Sequence, residues 1–335
     1  MSKKVLVLGS SGAMGQHLVP LLAEMGYSVT AVSLDDEKPC SERVRCIKAD
    51  AKDRATVEAL LAQGYDGVVD FMVYWSDDFK DVYKLFLDNT AHYIYFSTYR
   101  IYADEEHPIK ETSPRLLEAT TDEALRASND YCIYKAKGED LLLSSEYKNW
   151  TAVRPAITYS RMRYQLVTLE APNTVARAKA GKAVVLPIEA KDKQATMSWA
   201  GDVAKMLARL LFNPAAYREI YSVTTSEHHT WGEIAEYYRE LCGLRAVWVP
   251  KEDYIAILAG DDEQRTLLYR RQLEYDRLFD RIMDNSKILG VTGMKAEELM
   301  PLYDGLKYEI SRYDESVALK NNDAMDKYIE QKGIK

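Results

Sequence analysis

A turn reading Gly9-Ser10-Ser11-Gly12-Ala13-Met14-Gly15 follows the apolar run Val5-Leu6-Val7-Leu8. After it, Met14, Leu18, Leu21, Leu22 and Met25 recur at three- and four-residue spacing, up to Gly26. That pattern predicts a buried first strand, a glycine turn and an amphipathic first helix. Glycines at this spacing permit a tight turn, a close approach of backbone to ligand, and close packing of helix on strand. The helix start offers N–H groups and the positive end of its dipole. A pyrophosphate suits such a cradle, and a dinucleotide is the molecule that carries one. Gly9, Ser11, Gly12, Met14 and Gly15 are therefore the candidate cofactor contacts.

Downstream, short β-rich runs alternate with helical patterns, with strands expected over 4–8, 28–33, 44–48, 67–72, 93–97 and 150–154. This alternation predicts an α/β fold, a Rossmann-type doubly wound parallel sheet covered by helices on both faces. After Pro155 longer helices and aromatic residues dominate, the mark of a smaller, mainly helical substrate lobe. The expected division is a dinucleotide-binding domain over 1–155, rejoined by 198–224, with the lobe over 156–197 and 225–335. Within the returning segment a helix is expected over 202–212 and a strand over 219–224, and residues 321–335 read as a polar helix or tail.

The chain has 335 residues, 47% hydrophobic and 29% charged, and a net charge of −8. An acidic balance argues against non-specific binding to nucleic acid or to an anionic membrane. No apolar run approaches the roughly 20 residues of a membrane-spanning helix. The apolar run at the N-terminus lacks a cleavage-site pattern and reads as a strand, so a cytoplasmic enzyme is expected. Cys40, Cys46, Cys132 and Cys242 form no CxxC, and no histidine stands at ligand spacing from them, so reduced structural thiols and no metal are expected. His228 and His229 read as a loop before a helix capped by Thr230.

The choice of cofactor falls to the end of the second strand, where a carboxylate would hold the adenosine ribose. That position is Ser33, with Asp35 and Asp36 close behind as replacement acids. No arginine follows directly to take a 2′-phosphate, so NAD is favoured, although Lys38 and Arg43 leave NADP open. Asp50 is a candidate acceptor for the adenine amino group, or else an acid at a helix start.

Tyr131-Cys132-Ile133-Tyr134-Lys135 sets a tyrosine and a lysine four residues apart, on one face of a helix. A phenol with an ordinary pKa of about 10 is a poor base at neutral pH. A neighbouring ammonium favours the phenolate, and the same lysine can bond the nicotinamide ribose. Upstream, Ser97-Thr98-Tyr99-Arg100-Ile101-Tyr102 ends an expected strand.

Together these residues resemble the extended short-chain dehydrogenase/reductases, the NAD-dependent epimerase/dehydratase family. The resemblance rests on the glycine turn, Ser97-Thr98…Ile101-Tyr102, Tyr131…Lys135…Glu139 and Arg154-Pro155…Tyr159, in order. Asn173 and Gly181, Asp202-Val203-Ala204 and Asp284-Asn285-Ser286-Lys287 extend it over nearly the whole chain. It implies that Thr98 bonds the substrate oxygen, Tyr131 exchanges its proton, and Lys135 holds cofactor and phenolate. It also implies a homodimer through long helices near 77–88 and 118–146.

Departures from the pattern narrow the chemistry. The family's 4,6-dehydratases follow the threonine with Asp-Glu, where this chain has Tyr99 and Arg100, which speaks against dehydration. About Ala195, the arginine that binds a nucleotide diphosphate is missing; Arg161 and Arg163 are candidate replacements, with Arg100, Tyr159 and Asn173 as further substrate contacts. Met72-Val73-Tyr74 replaces small residues after the fourth strand, and Ala103 a glycine. Three readings follow. One is an epimerase-like oxidoreductase acting on a nucleotide-activated sugar. Another is a net reductase or dehydrogenase of a non-nucleotide carbonyl or alcohol. The third is a non-catalytic dinucleotide-sensing or RNA-binding relative.

Overall fold

The computed structural model describes residues 2–161, 163–314 and 323–333. Two compact units emerge, the first formed by 1–158, 200–225 and 284–299, the second by 159–199, 226–283 and 300–335.

The first unit is built from β1 (Lys4–Leu8), α1 (Gly15–Glu24), β2 (Ser28–Ser33), β3 (Val44–Lys48), α2 (Arg54–Leu61), β4 (Gly67–Asp70), α3 (Ser76–Asn89) and β5 (His92–Phe96). There follow α4 (Leu116–Ala119), α5 (Glu123–Ala127), α6 (Tyr131–Ser144) and β6 (Trp150–Val153). These strands, with Glu219–Tyr221 beside β6, form one seven-stranded sheet in which β4 and β2 flank β1. The pairings are parallel, with Leu6 opposite Thr30 and Val68, and Asp70 opposite Tyr95. The order reverses between β1 and β4, and ligands of such sheets bind past the carboxyl ends of the strands at that point.

Alternate residues of the strands feed two apolar layers. Val5, Val7, Ala31 and Ile94 pack under α1 and the helix Ala200–Leu210, and Leu6, Leu8, Val68 and Tyr93 pack under α2 and α3. β4 is shorter than expected because Met72 N–H turns back to Asp70 Oδ1 (3.0 Å), which takes the chain out of the ladder. A continuous helix over 118–146 is not formed. Asp122 and Asp130 accept N–H bonds from Leu125 and Cys132 and so start new helices at α5 and α6.

The segment Asp284–Leu299, expected in the lobe, belongs to the first unit. Ile288, Met294 and Leu299 join the apolar layer of the helix Ala200–Leu210. Lys287 Nζ also donates to the Ile220 carbonyl (2.8 Å) and pairs with Glu219 (2.7 Å).

The second unit is mainly helical, with helices Trp231–Cys242, Lys251–Ala259, Glu263–Gln272 and Leu302–Ile310. Strands Val184–Pro187 and Ala246–Val249 pair in parallel within it. Thr230 caps its helix reciprocally with Glu233. Part of the expected polar tail is the helix Asp323–Gln331; residues 321–322 and 334–335 lie outside the described residues. No disulfide joins the described residues, and none of their helices is long and apolar enough to cross a membrane.

Candidate active site

The glycine turn is pinned where the sheet order reverses. Gly9 and Ser10 both donate to the Val32 carbonyl (2.9 and 3.1 Å), and Gly9 has φ +81, a left-handed conformation that favours glycine. Phe71 and Met72, the bulky residues after β4, lie against it; a Gly9 side chain would stand 3.2 Å from Phe71 Cβ. At Gly15 a Cβ would run into the Ser10 carbonyl, so helix and turn can approach this closely only through glycine. Met14 precedes α1 with no side-chain cap, and Gly15-Gln16-His17 carry no acid. The positive helix end is thus left for an anion. Ser11 is half-buried and Gly12 exposed in the same turn.

At the end of β2, Ser33 is buried and its hydroxyl is engaged with the main chain of Asp35 (3.2 and 3.3 Å). Asp35 is exposed, and Asp36 pairs with Lys48 (2.6 Å). Glu37 is the acid that returns to the turn, where its Oε2 accepts from the buried Ser10 hydroxyl (2.5 Å). Spacing gave no sign of Glu37, because a loop rather than a periodic element carries it back. Asp50 is exposed, with Oδ1 accepting from Lys52 N–H (2.8 Å), while Asp53 caps α2.

Lys135 lies at the centre of the second cluster, 1% exposed, its amine donating to the Phe96 carbonyl (2.6 Å). The same amine is 5.9 Å from the centre of the Tyr131 ring and 5.1 Å from that of Tyr95. Gly138, one turn further along α6, makes this possible: a Cβ there would meet the Tyr95 hydroxyl. Thr98 is buried at the end of β5 and starts a 3₁₀ turn, Tyr99–Ile101, by accepting from Arg100 N–H (3.2 Å). The neighbouring Ser97 hydroxyl is buried without a hydrogen-bond partner. Arg100 reaches back over α6, its guanidinium carbon 5.3 Å from the Tyr131 ring centre and its Nη2 3.9 Å from Asp130.

Asp70, not foreseen as a site residue, is buried at the end of β4. Tyr93 donates to its Oδ2 (2.8 Å). Burial pushes its pKa up to about 6, against the hydrogen bonds from Tyr93 and Met72 and the charge of Lys135. Burial likewise pushes Lys135 down to about 8, while Asp70 and Glu139 hold it up.

A family model described as the NAD dependent epimerase/dehydratase family matches residues 5–224. The chain belongs to this family. Its fold is shared with an epimerase from Methanothermobacter thermautotrophicus (TM-score 0.71, 16% identity, 92% of this chain and 91% of that one). It is shared too with the UDP-glucose 4-epimerase of Thermus thermophilus, solved in complex with NAD (TM-score 0.67, 18% identity, 94% and 100% covered). In sequence the chain is similar to the chloroplast stem-loop binding protein of 41 kDa b from Arabidopsis thaliana, 25% identical over 250 residues. That match takes in 70% of this chain and 62% of the relative, less than two thirds of the relative's length.

In this member of the epimerase/dehydratase family, three of the recognised motif residues serve as framework. Arg154 grips buried Glu139 with two bonds (Nε to Oε1 2.8 Å, Nη2 to Oε2 2.6 Å). It also donates to the Tyr102 hydroxyl (2.8 Å) and the Glu111 carbonyl (2.9 Å). Tyr102 in turn bonds Ser222 (2.9 Å). The glutamate four residues past Lys135 thus ties α6 to the end of β6. Tyr99 is buried beside Thr98, and neither it nor Arg100 is a carboxylic acid.

The remaining candidates belong to the second unit. Tyr159 is wholly buried, its hydroxyl packed so tightly on Gly305 that a side chain there would collide with it. Arg161 is exposed, and Arg163 pairs with Glu170 (3.2 Å). Asn173 ends a 3₁₀ turn with its Oδ1 buried and without a hydrogen-bond partner. The unit also buries Asp276 with Arg277 and Arg281, a charged cluster that residue spacing did not announce.

Proposed function

We propose that the chain is an NAD-dependent, epimerase-like oxidoreductase acting on a nucleotide-activated sugar. The observation that carries this reading is the buried Lys135 amine, anchored on Phe96 and 5.9 Å from the centre of the Tyr131 ring. Tyr131 takes the proton of a substrate hydroxyl at its phenolic oxygen and returns one when the carbonyl is reduced. Lys135 stabilises the phenolate, and Thr98 and Ser97 orient the reacting oxygen with their hydroxyls. When bound, the nicotinamide supplies hydride acceptance and donation, chemistry that side chains lack.

The turn residues Gly9, Ser11, Gly12, Met14 and Gly15 would hold the pyrophosphate, with Lys135 on the nicotinamide ribose and Asp50 on the adenine. Glu37, bonded to Ser10, supports NAD over NADP because a carboxylate there repels a 2′-phosphate. Arg100, Tyr159, Arg161, Arg163 and Asn173 are the proposed substrate contacts. Tyr99 and Arg100 in place of an acid pair argue against dehydration. A homodimer through α3 and α6 belongs to the same reading.

The test is incubation with NAD and a panel of nucleotide sugars. Epimer formation or isotope exchange with solvent, lost in Tyr131→Phe, is expected. Steady accumulation of NADH would instead favour a net dehydrogenase, and no turnover of any panel member would count against the proposal.

The RNA-binding reading has one observation in its favour, the similarity to the Arabidopsis relative described as a stem-loop binding protein. The net charge of −8 opposes it. Retention of a labelled stem-loop at physiological salt, weakening as salt rises, would favour it.

A further inference from the structure

The Tyr131…Lys135 spacing by itself provides the phenol with one cation, Lys135. This chain provides two. We infer that Arg100 is a positioning residue that clamps the Tyr131 ring and, as a second and permanent cation, stabilises its phenolate. The inference rests on Tyr131 being the proton-exchanging group proposed above.

Three contacts carry it. The backbone of Arg100 is set by Thr98, whose Oγ1 accepts its N–H at 3.2 Å, so the arginine leaves the 3₁₀ turn in a fixed direction. Its guanidinium carbon is 5.3 Å from the Tyr131 ring centre, within the roughly 6 Å over which a cation is attracted to an aromatic ring. Its Nη2 lies 3.9 Å from Asp130, which also caps α6 immediately before Tyr131, accepting from Cys132 N–H at 3.2 Å. The arginine is thereby held at its backbone by the end of β5 and at its guanidinium by the turn that carries the phenol. Its side chain is only 15% exposed, so solvent screens it weakly.

The two cations differ in kind. The Lys135 amine is desolvated and committed to a carbonyl, and its pKa is pushed down to about 8 by burial. A guanidinium keeps its charge throughout the working range of a protein. Arg100 thus sustains the phenolate at pH values where the lysine has begun to lose its proton.

Among the groups around Tyr131 are Tyr134 and Lys135 on α6, Asp130 at its cap, and Tyr95 on β5. Asp130 opposes the phenolate, and its position beside Arg100 offsets part of that opposition. Tyr134 and Tyr95 are held protonated by burial, so neither contributes a competing phenolate signal.

The test needs no substrate. The ultraviolet tyrosinate absorbance is titrated against pH in the wild type and in Tyr131→Phe, and the difference isolates Tyr131. The same pair is measured in an Arg100→Met background and in Arg100→Lys. The Tyr131 midpoint is expected to rise by about one pH unit in Arg100→Met and much less in Arg100→Lys. Circular dichroism confirms that each variant is folded; if Arg100→Met does not fold, Arg100→Gln takes its place with the same expected shift. An unchanged midpoint in a folded charge-removing variant overturns the inference. Titration with NAD in parallel separates the two claims: a shift without NAD binding defeats the enzyme reading alone, and NAD binding without a shift defeats the role of Arg100 alone.

Discussion

Lys135 donates its amine to the Phe96 carbonyl at 2.6 Å from a site only 1% open to solvent. A charged amine in such a place lowers stability whenever it carries its proton. The unfolded chain keeps that proton up to the ordinary value of 10.5, whereas the folded chain gives it up near 8, because burial outweighs the attraction of Asp70 and Glu139. Between those values the unfolded state binds more protons, so this lysine makes stability rise with pH. Denaturant unfolding at both ends of the window measures the rise. Lys135→Met is expected to flatten it while abolishing turnover; a slope unchanged by the substitution would refute the argument.

Asp70 works in the opposite sense at low pH. Its folded pKa is raised by burial to about 6, from an ordinary 3.8. Between 3.8 and about 6 the folded state binds more protons, so its contribution to stability is present at the acid end and is lost as pH rises through about 6. Asp70→Asn should remove that loss, seen as a smaller fall in melting temperature across the same window.

Glu139 and Arg154 form a two-bond ion pair deep in the first unit, and Arg115 adds a third contact at 3.4 Å. Glu139→Gln leaves a buried guanidinium without its counter-charge and should cost about 3–5 kcal/mol in denaturant unfolding. Replacing both partners by apolar residues, Glu139→Leu with Arg154→Met, should recover much of that loss. Equal losses in the single and double variants would show that the pair itself is not the cause.

Gly15→Ala drives a methyl group into the Ser10 carbonyl. About 1–3 kcal/mol of stability should be lost to overpacking, and NAD affinity should fall at least about tenfold as the helix start withdraws. Calorimetric titration reads the second effect, and wild-type affinity would exclude this turn as the cofactor cradle.

Glu37→Ala removes the acid bonded to Ser10. NAD affinity should fall by about tenfold with little change for NADP, narrowing the preference between them. Parallel titrations with the two dinucleotides decide it.

Much of the first unit was legible because its determinants are local. Strand, glycine turn and helix follow one another from Lys4 to Glu24, and the spacing of apolar residues alone reports which side is buried. Tyr131 and Lys135 were legible for the same reason, since four residues on a helix define a face. The break of 118–146 into three helices was written in Asp122 and Asp130, but an aspartate becomes a cap only when the chain before it turns away. The return of Asp284–Leu299 to the sheet unit depended on Ile288 finding an apolar layer built by residues far from it in sequence.

By itself, then, the sequence determined the alternation of elements, the glycine turn at Gly9–Gly15 and the placing of a phenol and an ammonium on one helix face, all consequences of spacing within one segment. Tertiary structure alone decided that Glu37 rather than Asp35 or Asp36 meets the turn, that Asp70 is a buried acid near the lysine, and that Arg100 lies over Tyr131. Those relationships join separate segments, and the chain path that brings them together is set by packing of the sheet and its helices, a sum over many weak contacts that no local spacing records.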